Sequence, residues 1–252
     1  MKSSEQSIAA ALASTNYTNF AEFLETFPLQ GENLYSILFE RNSQIIQTQK
    51  AKFATANLQK ILTATFEVSS TSGFDRMSLR DLSRQTGMSM GAIYSCISKK
   101  EDIAIMVADI VRLASQMTYE YAQQVDDVWL QLEKSVSHHL YTSTVLQPWY
   151  FFLYFETRTL PEAQQQESKQ IELGAIEAIE AVIKRGIDQG EFFTEDSHMV
   201  ANTVVVLLED WYLKPWKSWQ SDHGKMNSSH HELNIKQYTE SILGLIRKLV
   251  AK

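Results

Sequence analysis

The sequence has few of the residues that mark several other classes of protein: one cysteine, four prolines and nine glycines among 252 residues. The single thiol, Cys96, excludes an internal disulfide framework and is typical of a reducing compartment. The scarcity of proline, glycine and alternating apolar runs predicts helices throughout. No apolar run reaches the roughly 18 residues that a membrane span needs, and the first residues, Met-Lys-Ser-Ser-Glu, lack a signal-peptide pattern. We therefore expect an all-α, cytoplasmic protein with no membrane contact.

Patterns typical of catalysis and of metal binding are also missing. The chain has no nucleophile elbow, no Gly-rich phosphate loop and no cluster of cysteines. It has two pairs of adjacent histidines, His138 with His139 and His230 with His231. Neighbouring side chains on a helix diverge by about 100°, so neither pair readily shares one metal ion. We expect no enzymatic activity, no bound metal and no cofactor.

The charge is unevenly distributed along the chain. The formal net charge is −7, but residues 50–100 contain eight cations and three anions, a local charge of +5 that leaves −12 for the rest. Attraction to phosphate acts within a Debye length of about 10 Å, so a locally basic module on an acidic body is compatible with DNA binding.

Residues 78–102 of this basic segment predict two short helices around a glycine turn. Ser78 and Asp81 have the spacing of a capping box, and Gly87 suits the left-handed residue that ends a helix. Ser89 is placed to cap the second helix, which is predicted at 90–97, and Ser98 with Glu101 predicts another capping box where the next helix begins. Leu79 and Leu82 of the first helix are placed to face Ile93 and Ile97. This is the arrangement of a helix-turn-helix, which presents its second helix to the DNA major groove.

The segment resembles the DNA-binding module of the TetR family (TetR/AcrR-like) of bacterial transcriptional regulators. With the preceding helix, the resemblance covers about a fifth of the chain. Ser83 departs from the family pattern, which usually has a small apolar residue there, and Cys96 and Ile97 replace a histidine or tyrosine followed by phenylalanine. The matching residues are Ser78, Leu79, Arg80, Asp81, Leu82, Gly87, Met88, Ser89, Gly91, Ile93, Tyr94, Ser98, Lys99, Lys100 and Glu101.

The resemblance implies an all-α protein with a three-helix helix-turn-helix DNA-binding domain and a larger helical domain for ligand binding and dimerisation. We place these at residues 47–98 and 99–252, after an N-terminal helical extension at 1–46 that is unusual for the family. Apolar spacing predicts the first helix of the DNA-binding domain at about 47–70 and a long connecting helix at 99–124. In the extension we predict helices at about 5–13 and 31–46, a further turn near 18–26 and a break at 28–31. The last helix is predicted to begin at the cap Asn234.

The resemblance also identifies candidate contacts with DNA. Tyr94 resembles the family tyrosine that touches phosphate, and Lys99 the lysine that anchors the DNA backbone. Small residues at positions 91, 92 and 95 would allow close approach to base edges, where no strong guanine reader is present, so DNA shape is expected to contribute to specificity. The predicted DNA-binding residues are Ser78, Arg80, Ser89, Met90, Gly91, Ala92, Tyr94, Ser95, Lys99 and Lys100.

Aromatic residues of the middle helices are candidate walls of the cavity that the resemblance implies. Apolar pockets with a few polar groups bind small hydrophobic ligands. For each aromatic residue a plain core role is the alternative, and for Arg158, a candidate partner for an anionic ligand group, it is an ion pair with Glu156 or Glu162. Cys96 is either a redox switch or a small buried apolar residue. The predicted ligand-binding residues are Trp129, Tyr150, Phe151, Tyr154, Phe155, Arg158 and Trp211.

Together these features predict a homodimeric repressor that a small apolar or aromatic effector releases from a double-stranded DNA operator, in the cytoplasm at the nucleoid. The last two helices would form a four-helix bundle across a two-fold axis. The alternative is a TetR-fold interaction factor that binds a protein partner and uses DNA as a platform. The extension either packs on the ligand domain or the dimer partner, or gates access of DNA or ligand.

Overall fold

A computed structural model describes residues 17–214, 217 and 228–251, with no side-chain detail for 228–232. Within these residues the regular structure is helical and there is no strand, which confirms the all-α prediction. The helices are α1 (Phe20–Thr26), α2 (Gly31–Arg41), α3 (Ala51–Ser72), α4 (Leu79–Thr86), α5 (Met90–Tyr94), α6 (Glu101–Ala122), α7 (Val128–Val145), α8 (Gln147–Glu156), a 3-10 turn (Thr157–Thr159), α9 (Glu162–Asp188), α10 (Ser197–Leu213) and α11 (Ser228–Leu249).

Several predicted helix boundaries differ from the observed ones. The helix predicted at 5–13 lies outside the described residues, and the break at 28–31 is confirmed for 28–30, whereas Gly31 already begins α2. That helix ends at Arg41, before the predicted residue 46, because residues 42–46 turn back on Asn42: the Ile45 and Ile46 amides both donate to its carbonyl. The start predicted at Asn234 is wrong, since α11 begins at Ser228. Asn234 has the residue type of a cap, but it lies inside α11 because the six residues before it are already helical.

The described chain divides into two compact units, and the first comprises residues 28–113 and 148–170. In it α2 packs along α3, and α3 packs on α4 and α5. The helix-turn-helix core is made by Leu58, Leu82 and Ile93, which are fully buried. Burial of such side chains stabilises the fold by about 1.5–3 kcal/mol each, so the short helices α4 and α5 depend on α3 for their stability.

The second unit comprises residues 17–27, 114–147 and the chain from 171 onward. Here α7 packs on α10 and α11, and α1 packs on α11. Trp211 is 1% exposed, and its indole Nε1–H donates to the Thr144 hydroxyl at 2.8 Å. The unit is therefore a helical bundle with an apolar interior in which the buried indole has a hydrogen-bond acceptor.

Aromatic residues of the extension are buried within this second unit. The Tyr17 ring stacks on Tyr121 with centroids 4.6 Å apart, and Phe23 meets His138 edge-on at 5.5 Å. Burial lowers the pKa of His138 to about 3. The expectation that the extension packs on the larger helical domain is thus confirmed for residues 17–27, whereas α2 belongs to the first unit. The division at 46 and 98 stays a prediction.

None of the helices in the described part of the chain combines the length and apolarity that crossing a membrane requires.

Candidate nucleic-acid interface

The first short helix, α4, is fixed at both ends by the residues that the sequence singled out. The Ser78 hydroxyl accepts the Asp81 N–H at 3.3 Å, and the Asp81 carboxylate accepts the Ser78 N–H at 2.9 Å, which confirms the capping box. The pKa of Asp81 is lowered because its carboxylate accepts hydrogen bonds from the Ser78 hydroxyl, at 2.6 Å, and from the Ser78 N–H. Gly87 ends the helix with φ of +68°, a conformation that costs a residue with a Cβ about 1–2 kcal/mol.

The turn between α4 and α5 is closed by a bond that the sequence did not indicate. The Ser83 hydroxyl donates to the Met88 carbonyl at 2.6 Å, and the Met88 side chain is buried. Ser83 stands where the family usually has a small apolar residue, so this departure supplies a hydrogen bond across the turn.

The second short helix, α5, begins as predicted and ends early. The Ser89 hydroxyl accepts the Ala92 N–H at 3.2 Å, but the helix ends at Tyr94 instead of Ile97. The next residues form a tighter turn, because the N–H groups of Cys96 and Ile97 both donate to the Ile93 carbonyl. The helix α5 therefore has only five residues, about one and a half turns.

All ten predicted DNA contacts are exposed or half-buried. Tyr94 is 46% exposed. Gly91 and Tyr94 are three residues apart on α5 and so lie on one side of it. The exposed residues are Ser78, Arg80, Ser89, Gly91, Tyr94 and Lys99, and the half-buried ones are Met90, Ala92, Ser95 and Lys100.

Ser95 and Lys100 use their side-chain donors within the first unit. The half-buried Ser95 hydroxyl donates to the Ala92 carbonyl at 2.7 Å. The Lys100 ammonium donates to the carbonyls of Phe74 and Asp75 at 3.2 and 2.6 Å. A contact of either side chain with DNA would require it to give up these bonds.

The start of α6 differs from the prediction in the residue that caps it. The Asp102 carboxylate, and not Glu101, accepts the N–H groups of Ser98 and Lys99, at 2.8 and 3.1 Å. The Asp102 side chain is buried, which keeps water from competing for these amides. The predicted capping box of Ser98 with Glu101 is therefore wrong, although a neighbouring carboxylate performs the same role.

Cys96 is fully buried next to α5. Burial raises the pKa of its thiol. A neutral, inaccessible thiol is a poor nucleophile, so the structure supports the buried apolar interpretation over the redox switch.

The seven predicted ligand-binding residues do not lie in one compact unit. Tyr150, Phe151, Tyr154, Phe155 and Arg158 are in the first, on α8 and the turn after it, whereas Trp129 and Trp211 are in the second. Tyr150 is buried, but Tyr154 and Phe155 are 46% and 44% exposed. Arg158 is exposed, and the Glu156 carboxylate proposed as its partner accepts the Phe74 N–H at 3.0 Å. In the second unit Trp129 packs on Phe192 with ring centroids 4.5 Å apart.

A half-open pocket of about 460 Å³ lies within the second unit and was missed by sequence reasoning. It is formed by α1, α7 and α11, and none of the seven predicted residues lines it. Its wall combines apolar groups, such as Phe20 and Tyr141, with the charged side chains of Glu133, Lys236 and Glu240. The extension supplies part of the wall through Thr18, Asn19 and Phe20. Because the extension has no counterpart in the family pattern, the resemblance could not indicate this pocket.

Comparison with solved structures identifies the fold. A TetR family transcriptional regulator, PfmR from Thermus thermophilus, superposes with a TM-score of 0.61 at 21% identity, over 73% of this chain and 97% of that one. The MbdR regulator from Azoarcus sp. CIB has the same TM-score at 16% identity, over 78% and 100%. The chain has the TetR fold. A further TetR-fold neighbour, the transcriptional regulator FadR from Bacillus subtilis in complex with stearoyl-CoA, superposes with a TM-score of 0.55 at 18% identity, over 75% and 96%. No family model matches the sequence, and no curated protein is similar enough to match it.

Proposed function

We propose that this TetR-fold protein is a member of the TetR family and acts as a DNA-binding transcriptional regulator, without enzymatic activity. The observation that supports this most directly is α5. It is a short helix that packs on a buried core, and both neighbouring helices are capped. It exposes Gly91 and Tyr94, and the exposed Lys99 follows five residues after Tyr94. The segment that contains it has a charge of +5, which suits contact with phosphate.

We further propose that the protein is a homodimer, because one helix-turn-helix reads too few base pairs for a specific site. Two such modules would bind half-sites about 34–36 Å apart. Met199 and Val206 on α10 support the proposal: they are 57% and 53% exposed and seven residues apart, so they form an apolar stripe on one side of the helix.

The proposed mechanism is release of a repressor by a small apolar or aromatic effector in the cytoplasm. Trp129, Tyr150, Phe151, Tyr154, Phe155, Arg158 and Trp211 remain candidate contacts. The TetR-fold neighbour with stearoyl-CoA supports an effector with a large apolar part. The effector must bind the DNA-free and DNA-bound conformations with different affinities, since otherwise it shifts no equilibrium.

DNA binding is tested with Tyr94→Ala and Lys99→Ala on a duplex enriched by this protein from a random pool. Each variant is expected to weaken binding to all sequences and to lower the slope of log affinity against log salt by about one for each phosphate that it no longer touches. The controls are Tyr119→Ala, since Tyr119 is 49% exposed on α6, and Lys169→Ala at an exposed site of α9. Unchanged slopes for both α5-region variants would contradict the proposed docking.

Effector release is tested by native mass spectrometry of the purified protein, followed by DNA binding with any adduct found. A dimer with a reproducible small-molecule adduct is expected, and saturation with that compound should weaken operator binding. Full operator affinity at saturation would contradict release.

The alternative of an interaction factor is not favoured by the described part of the extension. Phe23, Phe27 and Leu38 are buried within the protein, so they are not presented to a partner. A deletion of residues 1–45 that abolished partner binding without loss of stability would support the alternative.

A further inference from the structure

A bidentate ion pair joins the end of α2, in the extension, to the connecting helix α6. The Arg41 guanidinium donates to Asp109 through Nε to Oδ2 and through Nη2 to Oδ1, both at 2.8 Å. The Asn42 side-chain amide donates to the same carboxylate at 3.3 Å. The side chains of Arg41 and Asp109 are only 16% and 11% exposed. Such paired, shielded bonds fix the relative orientation of the two groups.

The chain that follows Arg41 is attached to the end of α5. The N–H groups of Gln47 and Thr48 both donate to the Ser95 carbonyl at 3.1 Å. Ser95 is the C-cap that follows α5, at the end of the helix where backbone carbonyls lack partners within the helix. Between the two attachments, residues 42–46 are held by a turn and by the buried Ile46 side chain. The segment between Arg41 and Gln47 is therefore short and held in place along its length.

The same helix α6 is also joined to the other side of this region through Asp102. Its carboxylate accepts the Ser98 and Lys99 N–H groups, which follow α5 directly. Asp102 and Asp109 are seven residues apart, so both lie on one side of α6. The result is a closed ring of contacts from Asp109 through residues 41–48 to Ser95, and from residues 98–99 back to Asp102.

We propose that Arg41 is a positioning residue for the DNA-reading helix, through which the extension holds α5 in a fixed relation to α6. A displacement of α6 near Asp109 would then reach α5 through residues 41–48, in addition to the direct path through residues 98–99. This rests on the proposed function to the extent that α5 is the helix that reads DNA. The extension is thereby assigned a role in operator recognition.

A neighbouring ion pair provides a matched control. Arg112 also donates to Asp109, from Nη2 to Oδ1 at 2.8 Å, but it lies on α6 itself and is 49% exposed. Loss of Arg112 removes a bond to the same carboxylate, together with an ion pair to Glu167 of α9, but it removes no attachment of residues 41–48. A difference between the two arginines therefore separates positioning of α5 from stabilisation of Asp109.

The first test measures amide hydrogen exchange of the full chain with Arg41→Gln, Asp109→Asn, both together, and Arg112→Gln. Arg41→Gln and Asp109→Asn are each expected to accelerate exchange at Gln47, Thr48 and the α5 amides about tenfold, because each variant removes charge-assisted bonds. The double variant should exchange no faster than either single variant, and Arg112→Gln should leave the exchange rates of the α5 amides unchanged. Unaltered α5 exchange in Arg41→Gln, or an equal acceleration in α11, would overturn the proposal.

The second test measures affinity for the duplex that the unmodified chain enriches. Arg41→Gln is expected to weaken binding about tenfold with an unchanged salt slope, because no phosphate contact is removed. The affinity of Arg41→Lys should lie between those of Arg41→Gln and the unmodified chain, and Arg112→Gln should bind the duplex with unchanged affinity. Full affinity in Arg41→Gln would overturn the positioning role. If the unmodified chain enriches no duplex, the proposed function fails, and the exchange measurement alone decides whether Arg41 holds α5.

Discussion

Polar side chains around the glycine turn mostly bond to nearby backbone. Ser83 bonds to the Met88 carbonyl, Ser95 to the Ala92 carbonyl and Lys100 to the Asp75 carbonyl. Serine hydroxyls commonly find such local acceptors. The sequence correctly predicted that Tyr94 and Lys99 are exposed. It did not show which hydroxyl and ammonium groups form hydrogen bonds within the protein.

The turn glycine Gly87 is required for its backbone conformation and not for space. A Cβ added there would have nothing within 4 Å, but φ is +68°. Gly87→Ala should therefore lower the free energy of unfolding by about 1–2 kcal/mol, measured by urea denaturation. Gly91→Ala is the control: φ is not positive there and the nearest atom to its Cβ is Ser89 Oγ at 4.0 Å. An equal loss in both variants would contradict the backbone explanation.

The buried histidine His138 is expected to make stability depend on pH. Its pKa in the folded protein is about 3, against an ordinary value of 6.5, because burial disfavours the charged ring. The unfolded chain therefore binds more protons between these pH values, so this contribution is complete above about pH 6.5 and is lost as the pH falls towards 3. His138→Gln should reduce the loss of stability between pH 7 and pH 4 by about 3 kcal/mol, since each pH unit between the two pKa values contributes about 1.4 kcal/mol.

The control for this titration is His198→Gln, since His198 has a 64% exposed side chain that contacts Glu180. Urea unfolding at a series of pH values measures both variants. An identical pH dependence of His138→Gln and the unmodified chain would contradict the assignment.

At the scale of helices, local signals were predictable and long-range partners were not. The caps of α4 and α5 and the glycine turn depend on residues within a few positions of each other, so the sequence identified them correctly. The end of α5 at Tyr94 depends on where Ser95 and Ile97 find hydrogen-bond partners. The contact of Arg41 with Asp109 joins residues 68 apart, and no spacing rule indicates such a pair.

The short helix α1 is expected to depend on one aromatic side chain. Phe23 is 1% exposed and contacts the rings of Tyr17, Phe27 and His138. Phe23→Ala should cost about 3–5 kcal/mol of stability, because it removes buried surface and leaves a cavity. Phe193→Ala, at a phenylalanine that is 56% exposed, should change stability by about 0.5 kcal/mol or less. Urea denaturation of both variants makes the comparison, and similar midpoints would show that α1 is only loosely attached.

At the scale of the whole molecule, the sequence predicted the fold, whereas the ligand contacts stay a prediction. An all-α chain with a helix-turn-helix was predictable, because helical periodicity and the glycine turn are repeated, redundant signals. The aromatic residues that were expected to surround one cavity are instead distributed over two compact units. Aromatic content indicates burial, but the direction in which each ring points depends on packing between distant helices.

The proposed dimer is tested at the apolar stripe of α10. Val206→Asp should weaken self-association about tenfold or more, because a two-fold interface contains each substitution twice. Sedimentation velocity over a concentration series measures the shift towards monomer. Leu130→Asp, at a leucine that is 41% exposed on α7, is the control. A Val206→Asp variant as dimeric as the unmodified chain would place the interface elsewhere.

The burial of Cys96 has a practical consequence, because it is the chain's sole thiol. It lies next to α5 within the ring of contacts that includes Arg41, Ser95 and Asp102. A thiol reagent reaches its sulfur only when that region opens, so each labelled molecule records one opening event. The rate at which the unmodified protein is labelled therefore reports how often the region around α5 opens, at one defined position and without an introduced probe.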